Sequence, residues 1–314
     1  ITVTADNQTK VYGAVNPTLT ATYAGFINGD DETILTTQAT ITTTADTTSP
    51  VGTYPITATG AAALNYTFNY VPATLTVTPV EITVTAANAS KVYGAVNPTL
   101  TASYTGFVNG DDETILTTAA TITTTADTTS PVGTYPITAT GAAALNYTFN
   151  YVPATLSVTP VEITVTADNQ TKVYGAANPT LTASYAGFVN GDDETILTAQ
   201  ATITTTADTN SPVGTYSITA TGAAALNYTF AYVAATLTVT PVEITVTADN
   251  QTKVYGATNP TLTASYTGFV NGDDETILTT AATITTTADT TSPVGTYPIT
   301  ATGAAALNYT FNYV

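Results

Sequence analysis

Ala73-Thr74-Leu75-Thr76-Val77-Thr78-Pro79-Val80-Glu81-Ile82-Thr83-Val84-Thr85-Ala86 is the stretch that decides the fold. Apolar residues alternate with threonine on both sides of the proline, which is the period of a half-buried β-strand. Leu75 and Val77 share one parity, whereas Val80, Ile82 and Val84 share the other. A change of parity reverses which side chains point inward, and proline removes a ladder hydrogen bond while stiffening the chain. One strand therefore runs almost directly into the next through Pro79, Val80 and Glu81. Such a joint is far shorter than a flexible glycine/serine linker. The arrangement recurs at Pro160, Val161 and Glu162 and at Pro241, Val242 and Glu243.

Working outward, Ile1, Ile82, Ile163 and Ile244 each open the same Ile-Thr-Val-Thr-Ala segment, 81 residues apart. The expected domains are 1–81, 82–162, 163–243 and 244–314. The fourth stops at Val314 before the last strand; either the sequence simply ends there or, if Val314 is a terminus, a sheet edge stands open to a strand from another chain. Copies one and four differ only at Val15/Thr258, Thr22/Ser265, Ala24/Thr267, Ile27/Val270 and Gln38/Ala281. Near-identity points to recent duplication. A unit of this size holds its own modest core and is too long for a solenoid repeat.

Within copy one, 1–5, 19–23, 41–45, 54–58, 66–70 and 75–78 alternate as strands. They are separated by turn residues at Tyr12-Gly13, Asn16-Pro17, Asn28-Gly29-Asp30 and Ser49-Pro50-Val51-Gly52. Threonine makes up 22 of the 81 residues, as suits the solvent face of a sheet. Asp30-Asp31-Glu32 followed by Thr33-Ile34-Leu35 predicts one short helical turn or a tight loop. The fold class is all-β: four tandem small domains, each a β-sandwich or a β-grasp-like sheet.

Composition narrows the chemistry. The 314 residues carry a net charge of −18, four lysines, no arginine, and no Cys, His, Met or Trp. Thiolate, imidazole and guanidinium chemistry is absent, and with it zinc, haem and iron–sulfur sites. A chain this acidic has no basic face for nucleic acid. No apolar run is long enough to span a membrane. Neither a signal peptide nor an initiator Met is present, so the chain reads as a mature product or as part of a longer protein.

The words Lys10-Val-Tyr-Gly-Ala-Val-Asn-Pro-Thr-Leu-Thr20, Gly25-Phe-Ile-Asn-Gly-Asp30, Ser49-Pro-Val-Gly-Thr-Tyr54 and Leu64-Asn-Tyr-Thr-Phe-Asn-Tyr70, closed by Ala73-Thr-Leu-Thr-Val-Thr-Pro79, recur in tandem. Together they resemble the MBG-type repeat, "YGX" variety, of very large bacterial surface proteins and adhesins. That resemblance implies an extracellular, all-β, non-enzymatic module in a stalk or adhesive array, and implies no particular ligand.

Candidate sites are few. Asp30, Asp31, Glu32 and Asp46 are carboxylates without the flanking-cleft arrangement of a glycosidase, and Ser49 and Ser90 have no histidine. Asp30, Asp31 and Glu32 are the calcium candidates, with Glu81, Glu162 or Glu243 as a ligand from the joint, although the segment does not follow the EF-hand pattern. Lys10 is either an edge lysine that blunts aggregation or the amine of an intramolecular amide with Asn16 or Asn65. Tyr66, Phe68 and Tyr70 share a strand face that reads as core with hydroxyls at the rim, and otherwise as a sugar-stacking ladder. Asn-x-Thr/Ser sequons begin at Asn7 and Asn65 and recur in the other copies. The expected function is a non-enzymatic stalk on a bacterial cell surface that projects a binding tip. The alternatives are a subunit of an extracellular filament built end to end or by strand addition, and a multivalent glycan-binding array. The expected partners are neighbouring repeats of the same or another chain.

Overall fold

The computed structural model describes residues 1–314, which form two compact units, Ile1–Thr159 and Pro160–Val314. Each unit holds two copies of the repeat.

In the first unit, copy one supplies β1 (Thr2–Ala5), β2 (Gln8–Val11), β3 (Ala21–Ala24), β4 (Thr40–Thr43), β5 (Gly52–Thr59), β6 (Asn69–Val71) and β7 (Ala73–Thr78). Copy two supplies β8 (Val80–Ala86), β9 (Ala89–Val92), β10 (Ala102–Thr105), β11 (Thr121–Thr124), β12 (Gly133–Thr140), β13 (Tyr147–Val152) and β14 (Ala154–Thr159). Copy one makes a three-stranded sheet in the order β3-β1-β6 and a four-stranded sheet in the order β2-β7-β5-β4. Copy two repeats this as β10-β8-β13 and β9-β14-β12-β11. The two sheets face each other. Ala5 of β1 packs with Ile56 of β5, Leu75 of β7 and Ala45, closed off by Leu19 and Ile41. Two facing sheets with no α-helix on either make each copy a β-sandwich, which removes the β-grasp alternative.

The chain crosses between the two sheets repeatedly, at β1–β2, β2–β3, β3–β4, β5–β6 and β6–β7. β1 pairs parallel with β6, and after two residues β2 pairs parallel with β7 in the opposite sheet. The first segment of the copy thus joins both sheets to the last two strands, β1 from the centre of one sheet and β2 from the edge of the other. The alternation read from sequence is the observed burial pattern. Val3, Ile56 and Leu75 are fully buried, while the threonines between them face outward. On the outer face the hydroxyls of Thr42 and Thr57 meet at 3.3 Å across β4 and β5, a cross-strand pair that adds to the ladder. The expected helical turn is a single 3₁₀ turn, Glu32–Ile34, with Asp31 as its N-cap accepting from the Thr33 backbone at 2.8 Å.

In the second unit, copy three is complete, with sheets built from Val161–Ala167, Ala183–Ala186 and Tyr228–Val233, and from Gln170–Val173, Thr202–Thr205, Gly214–Thr221 and Ala235–Thr240. Copy four keeps its three-stranded sheet (Val242–Ala248, Ala264–Thr267, Tyr309–Tyr313), but its second sheet holds only Thr283–Thr286 and Ile299–Thr302.

Leu75 is fully buried whereas Leu64 is 93% exposed. Leu75→Ala should therefore cost about 2–5 kcal/mol. Leu64→Ala should stay within about 0.5 kcal/mol. Denaturant unfolding of both variants checks this.

Candidate functional site: the joint between successive copies

The joint in the first unit is built from β7 and β8. β7 ends at Thr78 and β8 begins at Val80, which leaves Pro79 alone between them. Val80 and Glu81 are not a linker. They pair with Tyr147 and Thr148 at the start of β13, and the Val80 N–H donates to the Asn146 carbonyl at 3.1 Å. In the second unit Pro241 likewise separates Thr240 from Val242, and Val242 and Glu243 pair with Tyr309 and Thr310. Val161 and Glu162 hold the same register against Tyr228 and Thr229. The backbone packs tightly here. A Cβ on Gly106 would meet the Glu81 carbonyl oxygen at 2.8 Å, so the strand can pass only a glycine.

Side chains lock what the proline starts. Asn109 (φ 57°) and Gly110 (φ 79°) form a type I′ turn, closed by the Asp111 N–H on the Val108 carbonyl at 2.9 Å. This turn of copy two reaches back to copy one. Asp111 Oδ2 accepts from the Tyr147 hydroxyl at 2.7 Å and from Tyr12 of copy one at 3.2 Å. The two rings meet edge to face at 5.6 Å, and Phe107 packs on Tyr147 at 5.7 Å. Asn109 Nδ2 donates to the Thr47 carbonyl at 3.0 Å, and the Val51 N–H donates to Asn146 Oδ1 at 3.0 Å. Beneath these bonds Tyr12 and Val77 of copy one share one apolar cluster with Ile82, Val84, Ala139 and Tyr147 of copy two. The second unit reproduces the joint with Tyr174, Asp273 and Tyr309, with Asn271 on Thr209 and with Val213 on Asn308.

The lysine of each copy holds the loop that makes two of these contacts. Lys10 lies on the edge strand β2, yet it is buried and not snorkelling. Its Nζ donates to the carbonyls of Ala14, at 3.1 Å, and Asp46, and to neither Asn16 nor Asn65. Asn16 Nδ2 sits on the adjacent Ala45 carbonyl at 2.6 Å. Asp46 in turn accepts from the Thr48 N–H, at 2.9 Å, and from the Thr48 and Ser49 hydroxyls. These hydrogen bonds, the Thr48 hydroxyl first, hold its carboxyl below the usual range. The ordered 46–51 loop then presents the Thr47 carbonyl and the Val51 N–H to the next copy.

Two of the calcium candidates are engaged in hydrogen bonds. The Asp30 carboxylate takes the Tyr66 hydroxyl at 2.7 Å, and Asp31 caps the 3₁₀ turn through Thr33. Glu32 is exposed, as are Glu81, Glu162 and Glu243. No group of three or more acids converges to hold a metal. Tyr66, Phe68 and Tyr70 of the aromatic stripe are half-buried. Phe68 stacks on Tyr70 at 6.5 Å, and the Tyr70 hydroxyl accepts from the Ala61 N–H at 2.9 Å. Asn7, at the head of a sequon, accepts from the Thr74 N–H at 2.9 Å. Sequence reasoning missed Tyr12, Gly13, Thr47, Asn109, Asp111 and Asn146 as joint residues. For Tyr12, Gly13, Asn109 and Asp111 the signal was the recurrence of Tyr-Gly and Asn-Gly-Asp in every copy.

Gly13 (φ 81°) lies against Val108 of copy two, where a Cβ would sit 2.6 Å from its Cγ2, whereas Gly256 (φ 85°) of copy four has nothing within 4 Å. Gly256→Ala should carry only the left-handed backbone cost, about 1–2 kcal/mol. Gly13→Ala should add an overpacking cost of about 1–3 kcal/mol. The difference between the two in thermal unfolding measures the joint. Burial, aided by the Asp111 carboxylate, pushes the Tyr147 hydroxyl from 10.0 up to about 12. A raised pKa stabilises fully below the unfolded value and is lost as pH climbs through the folded one. Joint stability from this tyrosine should therefore hold below pH 10 and fall between pH 10 and about 12. Tyr147→Phe should flatten that limb of a pH–melting profile.

A family model described as the MBG domain (YGX type) matches residues 1–76, 82–157, 163–238 and 244–314. No curated protein matches the chain. Among solved structures, Drosophila N-cadherin EC1-4 aligns over 83% of this chain and 83% of its own at 9% identity, with a TM-score of 0.22. Three N-terminal domains of the bacteriophage RB49 outer capsid protein Hoc align over 85% and 80% at 13% identity, with a TM-score of 0.20. Likeness at that level carries no argument about this chain. With four tandem matches across nearly all of its length, the chain belongs to the MBG domain (YGX type) family.

Proposed function

We propose that the chain is a stretch of a non-enzymatic repeat stalk, outside a bacterial cell, that projects a binding tip from the surface. The observation that carries this reading is the joint. A single proline separates β7 from β8, and the tyrosine–carboxylate–tyrosine contact closes over a shared apolar cluster. A module whose aromatic residues are used to hold its neighbour serves to set position. The mechanical units are 1–81, 82–162, 163–243 and 244–314, with little bending at Pro79 and Pro241. The family's repeat β domains are of a non-catalytic type, which fits a spacer. No helix is long and apolar enough to cross a membrane.

Small-angle scattering with electron microscopy over a wide concentration range tests the reading. A sandwich of this size is roughly 30 Å across, so four in line should exceed about 120 Å. Replacing the three joint prolines by alanine should broaden the distribution of shapes. A compact particle, or an unchanged distribution, would count against the stalk. Fibres that grow with concentration would favour the filament reading.

A further inference from the structure

The first and last strands of a copy form one continuous ladder. In copy two, Val80–Thr85 of β8 pair parallel with Tyr147–Val152 of β13 in one sheet, and Ala89–Val92 of β9 pair parallel with Leu156–Thr159 of β14 in the other. Both pairings keep the same offset of 67 positions, so register is held while both segments cross between the sheets. At the crossing a side chain stands in for the backbone. Asn88 Oδ1 accepts from the Thr155 N–H at 2.9 Å and from the Thr155 hydroxyl at 3.2 Å, again at that offset. The ladder is extended at its two ends by the Val80 N–H on the Asn146 carbonyl at 3.1 Å and by the Tyr93 N–H on the Thr159 carbonyl at 2.8 Å. Copies one and three repeat the arrangement, with Asn7 on Thr74 and Asn169 on Thr236.

The chain enters copy two at Val80 and leaves it at Thr159, which are the opposite ends of this ladder. Tension along the chain therefore pulls the two segments past each other, parallel to their own length. Ladder hydrogen bonds run between the strands, so a load in this direction is shared along the ladder instead of falling on one bond at a time. Neither loaded strand is at an edge: β8 is the centre of its sheet, and β14 lies between β9 and β12. Pro79 alone separates the ladder of copy one from that of copy two, and Pro241 alone separates Thr240 from Val242 in the second unit. Tension thus passes from ladder to ladder with almost no slack.

We propose that the parallel ladder of copies one, two and three is a force clamp, stapled at its sheet crossing by Asn7, Asn88 and Asn169, that bears tension applied along the chain. The clamp is a property of a single copy, so it does not rest on the stalk reading. A filament subunit would carry load in the same way.

Single-molecule stretching of the 314-residue chain tests this. The chain has no cysteine, so engineered pairs give unique handles. Glu81→Cys with Thr159→Cys pulls the ladder of copy two from its opposite ends, in shear. Val92→Cys with Thr159→Cys pulls apart the facing pair at one end and unzips it. All three positions are exposed. Rupture in copy two is recognised by the length released, about 3.6 Å per residue between the handles. At equal denaturant midpoints, the shear pair should rupture at more than about twice the force of the unzipping pair, because hydrogen bonds of modest individual strength resist only when loaded together. Asn88→Ala should lower the shear force and leave the unzipping force unchanged, since unzipping begins at the far end of the ladder. Equal forces in the two geometries would overturn the clamp. An Asn88→Ala chain that keeps its full shear force, or loses force equally in both geometries, would overturn the staple.

Discussion

Everything in this molecule hangs on the strand that closes each sandwich. β7 is hydrogen-bonded on both flanks, buries Leu75 and Val77 completely, and then passes through one proline into the next copy. It therefore belongs to one core and aims the next. The fourth copy shows what depends on it. Without that strand the counterpart of β2 is not a strand, the counterpart of β5 shrinks to Ile299–Thr302, and Tyr255 stands in solvent.

The joint makes economical use of a chain poor in charge. Each copy has a single lysine whose ammonium donates to backbone carbonyls, and in the first three copies that lysine is buried. Burying a cation is costly unless its hydrogen bonds are made, and the acceptor from Asp46 belongs to the loop that touches the next copy. One buried group thus organises the loop, and the loop positions Thr47 and Val51 for Asn109 and Asn146. On the other side a carboxylate accepts two tyrosine hydroxyls over an apolar floor, where each bond is stronger than it would be in water. Contacts of this kind are directional. The tyrosine end of one copy meets the Asn-Gly-Asp end of the next, a head-to-tail relation that the same sequence can repeat.

The strands, their inward faces and the change of parity at Pro79 were legible in the sequence because a strand's period is local. So was the cap at Asp31, where the residue type and its position before the turn suffice. The choice of a sandwich over a β-grasp sheet was not legible, since it depends on β1 and β2 pairing with β6 and β7 more than sixty residues away. The roles of the acids also escaped. Asp30 and Asp111 occupy equivalent positions and read alike, yet only the structure shows that Asp111 receives a tyrosine from the preceding copy.

The sequence by itself determined an all-β chain of four near-identical units, the inward residues of each strand and the shortness of the joints. Each of these follows from spacing along one chain. Tertiary structure alone decided which sheets face each other, that Lys10 points inward on an edge strand, and that Tyr12 and Asp111 meet across a joint. Those contacts join residues 36 and 99 positions apart. No local pattern encodes such a meeting, because it exists only once two separately folded sandwiches have fixed where each loop stands.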